Sequence, residues 1–435
     1  MKKMNKTLRF LCSALVLILL ASALFSCTKT PETPETTNTE ADTGTETDKG
    51  LSVPTLNGVP LTEYSIVHTR KTNSGGEKAA DYLNQKLTEL YGITLAKETK
   101  SQADRYEILI GMAGGDDAIE EAYESSKGTM IGTAGKRVAL MGKNYATLCT
   151  SIDTFLGKAV ANGENVSISV TEFEYPEFTT FDLNVMSYNI LFDMEKEGRD
   201  ADCLAQMCEI IMENDVDVLG TQEDGEVHSA YFLENMKIYS VFKGDRDEGN
   251  HVYWKTDKFN LIKKGYYYLS NTPTVKSKFE GSNHYRTMTF VILEEKVTGK
   301  QFLFVNTHAD YQATESVRKD QLSVLTSLIK SVNKDSLPVV LLGDFNTTTT
   351  RSNSALLDFM GNNPEIALAY KVAAEKGDTG ATLVDGFVKR GTEVFDYILI
   401  NTDRVAAKYF TVLNTLKNGK YPSDHLPVFA KVEIY

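Results

Sequence analysis

The sequence predicts an α/β protein in which packed sheets are flanked by helices, preceded by a smaller α/β unit. Short apolar runs of strand length recur along most of the chain, and segments with apolar residues at helical spacing lie between several of them. The length of 435 residues exceeds that of one ordinary domain. It allows two folded units together with some non-globular sequence.

The composition is ordinary for a globular protein, but the charge is not. Hydrophobic residues make up 42% and charged residues 24%, and the formal net charge is -13. An acidic protein repels polyanions over long range, which disfavours a dedicated duplex-DNA binder unless a local basic cleft compensates. A bound metal ion can still offset negative charge inside a site.

The first 27 residues have the pattern of a secretory signal peptide. A basic start is followed by an apolar run from Phe10 to Phe25, which is too short and wrongly flanked for a stable membrane span. Leu24-Phe25-Ser26-Cys27 resembles a bacterial lipobox, which implies lipidation of Cys27 and anchoring to the bacterial cell envelope. We therefore expect a lipid anchor and no transmembrane helix in the mature chain. The alternative is a plain secreted protein with a chance cysteine near the cleavage site.

Residues 28–50 are rich in Thr, Glu and Pro and nearly free of large apolar side chains. Such a segment cannot bury enough surface to offset its ordering entropy, so we predict a disordered stalk. Nothing in the sequence indicates an obligate protein partner.

A small α/β unit is predicted for residues 51–175. Its expected strands and helices are Tyr64–Val67, Lys78–Tyr91, Tyr106–Gly111, Arg137–Gly142 and Tyr145–Val160. The unit contains no cluster of His, Asp or Glu that indicates catalysis. It resembles the non-catalytic accessory domain that precedes catalytic domains in some glycoside hydrolases, and we expect a spacer or docking module.

The second unit is predicted for residues 177–435. Its expected strands are Leu183–Ile190, Val216–Gly220, Val252–Trp254, Thr287–Leu293, Gln301–Thr307, Val339–Leu342 and Phe395–Ile400. Helical patterns cover Ala201–Asn214 and Glu315–Val332. Strand pairs with short turns occur beside strand–helix alternations, which favours packed sheets flanked by helices.

Polar residues lie at the ends of four of these apolar strands and just before the apolar run Leu426-Pro427-Val428, where side chains converge on a common mouth. They are Asn189, Glu223, Asn306 with His308, Asp344 with Asn346, and Asp424 with His425. A single Asn or Asp at a strand end is usually a turn residue that bonds its own backbone. The repetition favours a functional site instead.

The remaining histidines and cysteines are interpreted as structural. His68, His228, His251 and His284 are expected to be ordinary structural histidines. Cys149, Cys203 and Cys208 lack metal-ligand spacing, so we expect buried apolar residues and neither a disulfide framework nor a zinc site.

Six motifs of the second unit resemble the endonuclease/exonuclease/phosphatase superfamily, and they occur in that superfamily's order. They are Met186-Ser187-Tyr188-Asn189, Thr221-Gln222-Glu223, Asn306-Thr307-His308, Gly343-Asp344-Phe345-Asn346, Asp396-Tyr397-Ile398 and Ser423-Asp424-His425-Leu426-Pro427. The resemblance implies the deoxyribonuclease-I-like fold, a four-layer α/β sandwich of two packed mixed sheets between helices.

The resemblance also implies a metal site. Cleavage of a phosphate ester requires charge neutralisation, which a hard divalent cation with oxygen ligands supplies; Mg²⁺ is the default and Mn²⁺ an alternative. By resemblance Asn189 and Glu223 hold that metal. Asp344, Asn346 and Asp424 position the attacking water or a second metal.

The resemblance assigns the remaining roles to residues around the phosphate. His425 is a general base or stabilises charge on the phosphate, and Asp396 orients its ring. His308 donates to a phosphate oxygen or to the leaving group, with Glu248 orienting and protonating it. Two substrate contacts complete the set of candidates, Asn306 and Arg286, the latter equally compatible with a surface ion pair.

The sequence thus predicts a metal-dependent phosphodiesterase or phosphatase at the cell surface. Its substrate class is open among nucleic acids, phospholipids and inositol phosphates. A non-catalytic surface module that binds phosphorylated or carbohydrate ligands is the alternative, and a purely structural surface protein is a weaker one. The presence of all the carboxylates and histidines favours the enzyme.

Overall fold

A computed structural model describes seven stretches of the chain: residues 53–69, 75–112, 114–126, 128–192, 201–245, 248–417 and 419–435. The predicted signal peptide, the lipobox cysteine Cys27 and the predicted stalk lie outside the described residues. Within these ranges no helix combines the length and the apolar character that crossing a membrane requires.

The described residues before Tyr175 form three α-helices and nine strands. In chain order the strands β1 to β9 are Thr55–Leu56, Val59–Pro60, Ser65–His68, Lys97–Glu98, Glu107–Ile110, Thr129–Ala134, Arg137–Gly142, Val160–Asn162 and Asn165–Ile168. The helices α1 to α3 are Gly76–Tyr91, Asp117–Glu124 and Tyr145–Leu156, and a 3₁₀ turn covers Leu61–Glu63. The larger sheet has the order β4-β3-β5-β7-β6 and the smaller one β2-β1-β9-β8.

The part after Tyr175 contains fifteen strands and five α-helices among its described residues. The strands β10 to β24 are Phe181–Asn189, Val218–Gln222, Tyr239–Phe242, His251–Lys255, Phe259–Tyr268, Thr287–Glu295, Gln301–His308, Val339–Asp344, Ile366–Leu368, Glu375–Lys376, Val384–Asp385, Lys389–Arg390, Asp396–Asn401, Val405–Val412 and Val428–Ile434. The helices α4 to α8 are Ala201–Glu213, Glu226–Asn235, Glu315–Val332, Ala355–Asn362 and Ala369–Val372.

Two large sheets of this second part pack face to face. One has the strand order β12-β13-β11-β10-β24-β23-β19 and the other β14-β15-β16-β17-β22-β18. A buried apolar core joins them and includes Val185 and Val218 from the first sheet with Phe304 and Val340 from the second. This core is closely packed, so it fixes the spacing of the sheets.

Helices cover the outer faces of both sheets. Residues of α4 such as Met207 and Ile211 pack on the outer face of the seven-stranded sheet. Residues of α6 and α7 such as Leu325 and Phe359 pack on the six-stranded sheet. The layers therefore run helix, sheet, sheet, helix, and the predicted four-layer α/β sandwich is confirmed.

The two parts of the chain have separate sheets but contact each other directly. Lys78 of α1 pairs with Asp403 over 2.5 Å. The guanidinium of Arg404 lies 5.8 Å from the ring centre of Tyr82 and 5.0 Å from that of Tyr145. These contacts connect the first part to the turn between β22 and β23 of the second.

The prediction that the three cysteines are buried is confirmed for two of them. Cys149 and Cys208 are buried, whereas Cys203 is partly exposed, and all three are free thiols. Burial raises the pKa of Cys149 to about 11 and that of Cys208 to about 12. Such thiols stay protonated and unreactive at neutral pH.

Candidate active site

Strand ends from both sheets meet at one edge of the sandwich. In the seven-stranded sheet Asn189 ends β10 and Glu223 follows β11, which runs parallel to β10. In the six-stranded sheet Asp344 ends β17 and lies between His308 of β16 and Asp396 of β22 in register. The parallel strand pair in each sheet brings its carboxyl ends to this edge, which is why residues far apart in sequence converge here.

Asp344 is the centre of this cluster. Its Oδ2 accepts a hydrogen bond from Asn189 Nδ2 at 3.1 Å and lies 3.5 Å from His308 Nε2 and 3.8 Å from His425 Nε2. Its Oδ1 accepts from the backbone N–H of Asn346 at 2.9 Å. Burial, followed by the charge of Asp396, raises the pKa of Asp344 to about 7. This carboxyl group can therefore exchange a proton near neutral pH.

His425 is paired with a carboxylate on its other side. Its Nδ1 lies 2.8 Å from Asp396 Oδ2, as predicted for an orienting carboxylate. Burial disfavours the charged ring, but Asp396 and Asp344 outweigh it and raise the pKa of His425 well above its ordinary value. His425 is thus an imidazolium whose Nε2–H points toward Asp344.

His308 has the opposite electrostatic environment. Burial and the neighbouring Arg286 lower the pKa of His308 well below its ordinary value, so the ring is neutral. Arg286 Nη1 lies 3.2 Å from His308 Nδ1, and a guanidinium can only donate. The Nδ1 atom therefore accepts, which leaves the proton on Nε2, the nitrogen that faces Asp344.

Glu248 is predicted to orient and protonate His308. In the structure Arg286 lies against the Nδ1 atom of His308. The structure places Glu248 Oε2 3.7 Å from Arg286 Nη1. Arg286 is only 7% exposed, so it is not a surface ion-pair partner. Its role as a phosphate contact stays a prediction, and its position in the site is compatible with it.

The oxygen donors near Asn189 form a site for a cation. Glu223 Oε1 accepts from Asn189 Nδ2 at 3.1 Å. Burial raises the pKa of Asp424; His425 opposes that increase and the charge of Glu223 adds to it. Single ligand atoms of Asp344, Asp396 and His425 lie within 4.8 Å of one another. Several buried carboxylates close together carry more negative charge than the nearby cations balance, which suits a hard divalent ion.

Backbone conformation contributes to the precision of the site. Glu223 and Asn346 have φ values of 58° and 49°, a left-handed conformation that few non-glycine residues adopt. Their positions are held by hydrogen bonds, from Phe192 N to Glu223 Oε2 at 3.0 Å and from Asn346 Nδ2 to the Ala309 carbonyl at 3.1 Å. Gly343 precedes Asp344 with a φ of 150°, and a Cβ there would lie 1.9 Å from the Thr307 carbonyl oxygen. Glycine therefore permits the close approach of β17 to β16.

A cavity of about 630 Å³ opens onto these groups. Eight of the predicted residues line it, namely Glu223, Glu248, Arg286, His308, Asp344, Asn346, Asp424 and His425. Asn189 and Asp396 contact lining residues through the hydrogen bonds described above. Leu383, just before β20, also lines the cavity.

Asn306 has a different place from the one predicted. It is fully buried, and its Nδ2 donates to the carbonyls of Thr221 and His251 at 2.7 and 2.8 Å. Its Oδ1 accepts from Gln222 Nε2 at 2.7 Å. All of its amide atoms connect the two sheets, so the expectation of a substrate contact is corrected to a structural role. Asn306 lies two residues before His308 on the same strand face, about 6.6 Å deeper in the sandwich.

Six residues that line the cavity were missed from the sequence, namely Leu191, Phe192, His284, Tyr311, Leu383 and Phe395. His284, which was interpreted as structural, lines the cavity together with Tyr311 and Phe192. The antiparallel pairing of β15 and β16 explains why His284 and Tyr311 lie at the cavity. The residues before β15 and those after β16 meet at the same end of the sheet, next to Arg286 and His308.

Comparisons with known proteins agree with this geometry. The sequence profile of the Endonuclease/Exonuclease/phosphatase family matches residues 186–425, more than half of the chain. The Ccr4 exoribonuclease subunits of the CCR4-Not complex from Debaryomyces hansenii and Saccharomyces cerevisiae are 22% and 24% identical to it over 46% and 43% of the chain. The matched regions make up 29% and 28% of those yeast proteins, so the chain spans less than a third of their length.

Solved structures show the same fold. An endonuclease/exonuclease/phosphatase family protein from Bacteroides thetaiotaomicron superposes with a TM-score of 0.55 at 23% identity, over 59% of this chain and 100% of that one. A mannosyl-6-phosphatase from the same species superposes with a TM-score of 0.52 at 24% identity, over 57% and 99%. The members of the matched family hydrolyse phosphate esters with divalent metal ions. With the family profile covering most of its second part, this chain belongs to the endonuclease/exonuclease/phosphatase family.

Proposed function

We propose that this protein is a Mg²⁺-dependent phosphatase that hydrolyses compact phosphate monoesters. The observation that carries the proposal is the position of Asp344, a buried carboxyl group at the cavity that contacts Asn189 and lies within 4 Å of the imidazoles of both His308 and His425. A core carboxylate with only a structural role gains nothing from such surroundings. A group that must accept a proton beside a phosphate does.

The chemistry of the donor set fits a hard divalent cation. Glu223, Asp344 and Asp424 supply carboxylate oxygens and Asn346 supplies an amide oxygen, the ligand types that Mg²⁺ and Mn²⁺ prefer. The amide nitrogen of Asn189 donates to Glu223 and Asp344 and so orients two of these carboxylates. When bound, the ion neutralises charge on the phosphate and polarises its P–O bonds. The carboxylates would hold it at the floor of the cavity.

The remaining residues act on the phosphate and on water. Arg286, whose buried Nε has no protein partner, binds phosphate oxygens. The His425 imidazolium donates Nε2–H to another phosphate oxygen and stabilises the charge that grows there. Asp344, supported by the backbone N–H of Asn346, orients the attacking water and accepts its proton. The neutral His308 donates a hydrogen bond from Nε2–H to the leaving oxygen and keeps its proton, and solvent water protonates the released alkoxide.

Electrostatics favour a compact substrate over a polynucleotide. Arg286 is the only Arg or Lys side chain that lines the described cavity, whereas four carboxylates do. The chain as a whole carries a formal charge of -13. A polynucleotide track needs a series of cations along its backbone, and a single phosphate needs one or two. Of the relatives described above, the mannosyl-6-phosphatase is the precedent for this choice and the Ccr4 exoribonucleases are the precedent for the competing one.

We also propose that the protein is lipid-anchored at the bacterial cell surface through Cys27. The support is the lipobox-like sequence Leu24-Phe25-Ser26-Cys27 and the polar segment that follows it. Replacement of Cys27 by Ala should release the protein from the membrane fraction of expressing cells. Continued sedimentation of Cys27→Ala with membranes would contradict the anchor.

The activity is tested with a hydrolysis panel on the full chain, with Mg²⁺ or with EDTA. The panel contains a hexose phosphate, a nucleoside monophosphate, glycerol phosphate, an inositol phosphate, single-stranded RNA and duplex DNA. We expect metal-dependent release of phosphate from one or more of the small monoesters. Faster cleavage of RNA or DNA than of every monoester would overturn the proposal in favour of a nuclease.

A further inference from the structure

The aromatic pair formed by His284 and Tyr311 stands at the edge of the cavity. Their ring centres are 5.2 Å apart and their planes differ by 29°, a stacked arrangement. Both residues line the same cavity as Asp344, Arg286 and His308. Tyr311 is 56% exposed, so this stack is not part of the apolar core.

We propose that the His284–Tyr311 pair is the surface on which a ring of the substrate's organic group stacks. This inference rests on the proposed hydrolysis of small phosphate monoesters. It predicts that the enzyme prefers esters of ring-bearing alcohols, whether sugars or nucleosides, over esters of open-chain alcohols. The shared chemistry is an uncharged ring face, the C–H face of a sugar or the plane of a nucleobase, which packs well against an aromatic surface.

The sequence positions of the two rings place them near the reacting phosphate. His284 precedes the phosphate contact Arg286 by two residues, and Tyr311 follows His308 by three. The rings are therefore attached to the segments that carry two groups of the catalytic site. A ring one or two bonds from the bound phosphate reaches this surface without a long linker.

The buried carboxylate of Asp310 holds the backbone of both segments that carry these rings. Asp310 Oδ2 accepts hydrogen bonds from Ser282 Oγ at 2.6 Å and from the backbone N–H groups of Asn283 and His284 at 2.6 and 3.0 Å. Its Oδ1 accepts from the backbone N–H of Gln312 at 3.0 Å. The same side chain thus holds the segment with His284 and the segment with Tyr311. A binding surface that is ordered before the ligand arrives loses less entropy on binding.

The His284–Tyr311 pair carries no charge at neutral pH, which favours an uncharged ring as its ligand. Burial and the charge of Arg286 lower the pKa of His284, so its imidazole is neutral at pH 7. A neutral imidazole beside a phenol ring attracts an uncharged ring face and not a second phosphate. The anionic part of the substrate is left to Arg286.

The neighbouring Tyr285 provides a matched control. It is 36% exposed, follows His284 directly and is absent from the cavity lining. Its ring lies 5.1 Å from the Lys276 ammonium and 5.3 Å from that of Lys278. Tyr285 therefore contacts lysine side chains outside the cavity lining, whereas Tyr311 stacks with His284 inside it.

The experiment measures kcat/KM of the full chain for hexose 6-phosphate, a nucleoside monophosphate and glycerol phosphate. It compares the unmodified protein with Tyr311→Ala, Tyr311→Phe and the control Tyr285→Ala. Tyr311→Ala should lower kcat/KM for the preferred ring-bearing ester about 5- to 100-fold, mainly through KM. The value for glycerol phosphate should change less than about threefold, and Tyr311→Phe and Tyr285→Ala should keep the preference.

Each outcome decides the inference. The ester whose kcat/KM falls more in Tyr311→Ala identifies whether the preferred substrate carries a sugar or a nucleoside. Equal losses for glycerol phosphate and the ring-bearing esters, or no loss at all, would overturn the stacking surface while leaving the hydrolase intact. If the unmodified protein hydrolyses none of the esters, the proposed function fails. Calorimetric binding of the same three esters to the unmodified protein and to Tyr311→Ala then tests the surface by itself, and equal affinities refute it.

Discussion

The side-chain amide of Asn189 donates to Asp344 over 3.1 Å, from the end of one sheet to the end of the other. The same amide group donates to Glu223 at 3.1 Å. Asn189 thereby connects the carboxylates of Glu223 and Asp344, whose mutual repulsion a bound cation would reduce. The active site exists only where the two sheets meet, so its geometry depends on the packed core between them.

Replacement of Asn189 by Ala should weaken the binding of Mg²⁺. The variant loses an amide that orients both carboxylates, and such supporting groups contribute about 10- to 100-fold to metal affinity. The measurement is the Mg²⁺ concentration that gives half-maximal activity. An unchanged concentration would show that Asn189 does not organise the metal site.

Replacement of Arg286 by Lys should not preserve activity. Lysine keeps the positive charge but lacks the planar fork that can contact Glu248, His308 and a phosphate at once. Loss of one charge-assisted contact corresponds to a decrease of about 10- to 100-fold in kcat/KM. The exposed Arg351 pairs with Glu315 and serves as the control, and Arg351→Lys should retain full activity. Full activity of Arg286→Lys would contradict the phosphate contact.

Asp310 should make the stability of the protein depend on pH in the acid range. Burial by itself raises the pKa of this carboxyl, but hydrogen bonds from Ser282 and from the backbone N–H groups of His284, Gln312 and Asn283 outweigh it and lower the pKa. A group whose pKa is lower in the folded protein stabilises it above the unfolded value of about 4, and this contribution disappears as the pH falls through the folded value. Asp310→Asn should lower the free energy of unfolding at pH 7 by about 2 kcal/mol and flatten its decline below pH 4.

Urea unfolding of Asp310→Asn at pH 7 and at pH 3.5 measures this effect. The control is Asp358→Asn, because the side chain of Asp358 is half exposed and forms an ion pair with Lys319 at 2.7 Å. An equal loss of stability at both pH values would contradict the ionised state of Asp310.

Much of the fold and of the site could be predicted because apolar strands end in polar residues at fixed positions. The pairing of His308 with Asp344 follows from two parallel strands whose carboxyl ends meet. The helix Glu315–Val332 was predicted with its observed bounds, since it has apolar residues at helical spacing and Thr314 accepts from Val317 N at its start.

Other features depended on tertiary structure that local patterns do not contain. Asn189 and Asn306 are both Asn residues near strand ends, but Asn306 lies deeper and is covered by β11 and β13 of the facing sheet. The strand Phe259–Tyr268 was not predicted, because it lies at the edge of its sheet and most of its side chains are exposed. It therefore lacks the apolar run by which the other strands were recognised. The strand Val405–Val412 contains an irregularity between Ala407 and Tyr409 that interrupts its alternation.

The most direct test of the account measures phosphate release from a small monoester against free Mg²⁺ concentration, for the unmodified chain and for Asp344→Asn. We expect no activity in EDTA, full recovery on addition of Mg²⁺ or Mn²⁺, and a loss of about 10³-fold in Asp344→Asn with an unchanged far-UV circular dichroism spectrum. Activity that persists in EDTA, or a loss below about tenfold in Asp344→Asn, would contradict the central role of Asp344 in a metal-dependent site.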